Sequence, residues 1–172
     1  MMRAACWISS LSLLAISVVP PGMAEPSLRQ KVLEEMRASR PADLVVLETR
    51  DLGRPSMLGI FAIEVDSADP DLRRYKLWRE SSENLIIPTE SVSCSRTEPM
   101  RVTRDQSAIY LQRLNPGGLV TAANRENHLV WWAACEPKLA GKDPSGLTEQ
   151  AKALGFSTLQ VESQEILRLP SQ

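Results

Sequence analysis

The chain of 172 residues has one histidine, three cysteines and no Asn-x-Ser/Thr sequon. Neither sign of charge dominates: 20 Lys plus Arg stand against 21 Asp plus Glu, a net charge of −1, and no basic block occurs. That balance argues against a dedicated nucleic-acid binder. Glycine and proline are ordinary in number, 8 and 12, which excludes collagen-like and low-complexity chains. After the first two dozen residues no second long apolar run appears, so no stable membrane span is expected beyond that point.

What is present begins with an address. Arg3 is the only charge before an apolar stretch from Ala4 to Val19 that includes Trp7, Ile8, Leu11, Leu13, Leu14, Ile16, Val18 and Val19. Pro20, Pro21 and Gly22 end any helix there, and Gly22, Met23 and Ala24 place small residues before a cleavage point between Ala24 and Glu25. The stretch is short for a spanning helix and is diluted by Ser9, Ser10, Ser12 and Ser17. A lipid anchor on Cys6 fails because no apolar segment precedes it. The sequence therefore predicts residues 1–24 as a signal peptide and residues 25–172 as a single exported globular domain, in a periplasm, an equivalent lumen or the medium.

Cys6 leaves with that signal, and Cys94 with Cys135 remain as an even pair in an oxidising space. A disulfide closing a loop of about 42 residues is the leading reading. Two free buried thiols are the next. A redox pair, or a metal site that adds His128, lacks the short spacing such chemistry uses.

Along residues 25–172 the pattern is mixed. Ser27 and Gln30 form a capping box ahead of Leu28, Val32, Leu33 and Met36, which predicts an amphipathic helix that stops before Pro41 and packs on the sheet. Leu44–Leu47, Met57–Val65 and the stretch around Tyr75 and Leu77 read as strands. Leu85–Ser95 is a strand that is an edge or breaks at Pro88, and Met100–Arg104 and Ala108–Leu114 follow. Asn115–Gly118 is a turn, with a minor alternative as an anion-binding nest. His128–Cys135 reads as a buried central strand with Trp131 and Trp132 on opposite faces. A second amphipathic helix, capped by Asp143 or Ser145 with Pro144 in its first turn, carries Leu147, Ala151 and Leu154 and ends at Gly155. Leu159 and Val161 suggest a last strand, and Gln164–Gln172 a frayed tail. The fold class expected is α+β: a mostly antiparallel, meander-like sheet with an N-terminal and a C-terminal amphipathic helix.

Chemistry has few candidates. His128 is the residue to test as a general base, and the polar loop Asn124, Arg125, Glu126, Asn127, His128 leads directly into the tryptophan pair, so Asn124, Arg125, His128 and Trp132 make the candidate ligand site. A bare turn followed by core explains the same residues. Arg96, Arg101, Arg104 and Arg113, with a second set at Arg73, Arg74, Lys76 and Arg79, are interleaved with acids and read as a solvated sheet face. No serine elbow, phosphate loop, metal spacing or cofactor motif occurs. These absences favour an exported binding or accessory protein, with an envelope or lumenal protein as partner. The alternative is an enzyme or small-ligand receptor at the Asn124–Trp132 site.

Overall fold

The computed structural model describes residues 27–51 and 55–170. The signal segment 1–24 and its cleavage point lie outside the described residues. Among those described, no helix is long and apolar enough to cross a membrane.

An eight-stranded sheet, antiparallel at every pairing, organises the chain. Its strands are β1 (Val45–Arg50), β2 (Ser56–Val65), β3 (Leu72–Ser81), β4 (Leu85–Ile86), β5 (Thr89–Ser93), β6 (Met100–Arg104), β7 (Ala108–Arg113) and β8 (Ser163–Arg168). They lie in the order β1-β2-β3-β5-β6-β7-β8, with β4 pairing on β3, so β1 to β7 form the meander that short connections dictate, while β8 joins β7 only after the intervening helical segment. Aspartates build the turns: Asp66 and Asp69 accept from the amides of Ala68 and Asp71 between β2 and β3, and Asp105 accepts from Ser107 and Ala108 between β6 and β7. The expected strand over Leu85–Ser95 breaks at Pro88, whose carbonyl still accepts from the Leu77 amide.

The largest departure from expectation is residues 128–135. They belong to a helix, α2 (Arg125–Cys135), in which seven consecutive residues from His128 to Ala134 are buried. An unbroken apolar run fits a central strand and a helix covered all round equally well, and periodicity cannot separate them. Here the sheet covers one side of the helix, while Leu147, Ala151 and Phe156 share its core cluster. Trp131 packs edge-on against both Trp132 and Phe156, with ring centroids 5.1 and 5.3 Å away, and donates its Nε1–H to the Ser93 carbonyl at 2.9 Å. Next to that bond the Cys94–Cys135 disulfide, with Cα atoms 5.4 Å apart, fastens the end of α2 to the end of β5.

Helix α1 (Leu28–Ala38) starts with the capping box that Ser27 and Gln30 predict, yet buries none of its residues. It does not pack on the sheet: Leu28, Val32 and Met36 face solvent. Arginines hold it instead, Arg29 donating to the Glu83 carbonyl, Arg37 to the carbonyls of Ser81 and Ser82, and Arg40 pairing with Glu80 at 2.9 Å. Helix α3 (Thr148–Ala153) follows a 3-10 turn at Pro144–Gly146 capped by Asp143. It ends in a Schellman motif, Phe156 N–H to Ala151 O and Gly155 N–H to Lys152 O, and Gly155 supplies the positive φ of 91°. The final strand is not at Leu159 and Val161, which are 87% and 86% exposed; it is β8, in the stretch read from sequence as a tail. Pairing with β7 orders it, and that tertiary contact leaves no apolar alternation in a strand whose six positions are all exposed.

Candidate functional site

Carboxylates that each gather several donors anchor the N-terminal end of α2. Glu162 accepts from His128 Nε2 at 2.7 Å, from the Asn115 amide at 2.9 Å and from Asn124 Nδ2 at 2.8 Å. Glu48 accepts from Arg125 Nε at 2.7 Å, and the same guanidinium reaches Asp143 at 2.7 Å. The four residues singled out in the sequence thus spread in different directions. Asn124 and His128 meet on Glu162, Arg125 turns to Glu48, and Trp132 sits in the core with its Nε1–H unpartnered among the described residues. Asn115 also donates to the Gln160 carbonyl, while the amides of Gly117 and Gly118 turn to Asn115's own oxygens, as in a plain turn.

A third cluster was not legible as a site. Arg101, placed by sequence on a solvated face, has a side chain only 3% exposed. Its Nη2 lies 2.7 Å from Glu90 Oε2 and 2.9 Å from Glu126 Oε1, its Nη1 2.7 Å from Asn127 Oδ1, and its Nε 3.2 Å from the Tyr75 hydroxyl, which donates to Glu90 at 2.8 Å. The register explains the meeting: Tyr75 pairs Glu90 across β3 and β5, and Val92 pairs Arg101 across β5 and β6, so all four side chains share the sheet face under α2. Strand alternation read together with pairing could have found it; alternation alone could not.

Burial works against a charged guanidinium, but Tyr75, Glu90 and Glu126 outweigh it and raise the Arg101 pKa. Burial pushes the Tyr75 hydroxyl well above its usual value. Burial also opposes ionisation of Glu126, yet Arg101 and Arg79 hold it below the usual carboxylate range, and His128, the Asn115 amide and Asn124 do the same for Glu162. Arg101, Glu126 and Glu162 are thereby favoured in their charged forms, and Tyr75 in its neutral form.

Arg101, Glu90, Glu126 and Asn127 border an open groove of about 510 Å³ that Thr103, Arg104 and Tyr110 also line. Through Arg79, Ala122 and Glu126 it adjoins a second groove of about 330 Å³, where Arg125 and Glu48 sit. His128 lines neither. Among the described residues no group of three His, Cys, Asp or Glu side chains is placed to hold a metal ion. Comparison with family models, with curated proteins and with solved structures found no match.

Proposed function

We propose that the protein is an exported, non-catalytic binding module whose ligand seats in the groove beside Arg101. The observation that carries this reading is the network of Glu90, Arg101 and Glu126, backed by the buried Tyr75, which lines a ligand-sized cleft with side chains locked by mutual hydrogen bonds. A rigid wall lowers the ordering cost of binding. Export is supported by the Cys94–Cys135 disulfide, a bond of oxidising compartments. The non-catalytic part is supported by His128, buried with Nε2 held by Glu162.

Native mass spectrometry of protein gently recovered from its compartment tests both parts. The chain should begin at Glu25 and retain a bound small molecule, which Ala123→Trp, at an exposed position on the groove's rim, should release. A chain beginning at Met1, or equal retention by the variant, contradicts the reading.

A protein partner in the envelope or lumen is a second form of the binding reading, favoured by the solvent-facing Leu28, Val32 and Met36 of α1. Recovery of the protein only as a free monomer under gentle extraction counts against it.

A further inference from the structure

The groove beside Arg101 has no net charge to offer. Arg79, Arg101 and Arg104 are balanced by Glu90, Asp105 and Glu126, so a simple anion or cation meets as many like charges as opposite ones. Its walls instead alternate hydrogen-bond donors with acceptors. Arg104 makes no ion pair among the described residues, and the Asn127 amide group and the Thr103 hydroxyl stand nearby. Gln112 also borders the groove, with an Oε1 that lacks a partner among the described residues. The Glu126 carboxylate supplies a further acceptor, while Asp105 spends its oxygens on Ser107, Ala108 and Tyr110.

A hydroxyl group both donates and accepts at one atom, so a row of hydroxyls can answer such a mixed surface where an ammonium or a carboxylate cannot. An apolar surface is at hand as well: Ile86 and Pro88 line one side, and Tyr110 is fixed there by its hydroxyl's 2.7 Å bond to Asp105. A fixed aromatic ring beside polar groups suits the C–H face of a sugar ring, apolar in the middle and wet at its edge. We infer that the ligand of this groove is a neutral polyhydroxyl compound, a segment of glycan. The inference rests on the binding-module reading and narrows it to a chemical class.

The test is an NMR titration of the isotopically labelled protein with four defined probes: maltotriose, the trisaccharide of N-acetylglucosamine, sodium phosphate and putrescine. At least one trisaccharide should give saturable shifts at Thr103, Tyr110, Gln112 and Asn127, with no such shifts from phosphate or putrescine. Arg104→Ala, an exposed change, should weaken that binding by about tenfold through the lost hydrogen bond, and Tyr110→Phe should keep more affinity than Tyr110→Ala. A thermal melt matching the wild type shows that each variant is folded. Saturable shifts at these residues from phosphate or putrescine alone would overturn the glycan class and leave the binding module standing. Silence at these residues with both trisaccharides overturns the glycan class too, and then retention of a ligand in the mass measurement decides the module separately. Trisaccharide shifts confined to residues away from the groove overturn both.

Discussion

Nη2 of Arg101 lies 2.7 Å from Oε2 of Glu90, with the two side chains 3% and 6% exposed, so a full ion pair is closed inside the sheet face that α2 covers. Such a pair is costly to desolvate, and its value lies in what removing one partner would expose. Arg101→Met alone should therefore destabilise the fold by about 3–5 kcal/mol, because Glu90 is left buried and uncompensated. The double change Arg101→Met with Glu90→Leu should recover most of that loss. Urea unfolding of the two variants checks it; a double variant as unstable as the single one would mean the damage is steric and the pairing incidental.

The disulfide joins residues 41 apart, and on the chain-entropy model it disfavours the unfolded chain by ~4 kcal/mol. Intact mass should rise by two hydrogens on reduction, and Cys94→Ala should lower the melting temperature more than Arg104→Ala does. Equal melting temperatures for those two variants would contradict the cross-link's stabilising role.

Glu162 ties the segment before β8 to α2, and its pKa is held below the ordinary 4.5. The sign follows from linkage: a depressed carboxyl stabilises the fold above its unfolded value, and that contribution is lost as pH falls through the lower folded value. The melting-temperature advantage of wild type over Glu162→Gln should be greatest near neutrality and shrink as the solution is acidified below pH 4.5. A gap that stays constant with pH would show that charge is not what Glu162 contributes.

Ala62 sits at a bulge in β2 with φ of +50°, its amide donating to Asp43 Oδ2 at 2.8 Å. A left-handed alanine is strained by about 1–2 kcal/mol, and glycine relieves this while losing up to about 1 kcal/mol to chain entropy. Ala62→Gly should accordingly be neutral or stabilising by up to about 1 kcal/mol in urea titrations, whereas Ala62→Val should destabilise. A clear loss with glycine would place the bulge's stability in the alanine methyl.

The sheet was legible to the extent that local chemistry decides it. Asp66, Asp105 and Pro88 mark turns and a break whatever lies around them, whereas the alternation expected of β2 is lost: Gly59 and Ile60 are buried in succession, the register with β3 shifts at the bulge around Ala62, and Val65 is exposed. The elements decided by tertiary contact were not legible. His128–Cys135 is apolar on all sides, so only the surrounding sheet and Phe156 make it a helix. Strand β8 exists through its ladder to β7, and α1 turns its apolar residues to solvent because arginines dock it on carbonyls of the β3–β4 turn. The site shares this limit. Arg101 looks like any arginine on a half-polar strand until the register sets Glu90 and Tyr75 beside it and lays α2 with Glu126 across them.

The most direct measurement is calorimetric titration of the recovered ligand, or of the trisaccharide that binds, into wild type and into Ala123→Trp in parallel. The account predicts saturable one-site binding by the wild type that the tryptophan at the groove's rim abolishes, with both proteins melting alike. Equal affinity in the two proteins would place the ligand elsewhere on the molecule and contradict the groove as its seat.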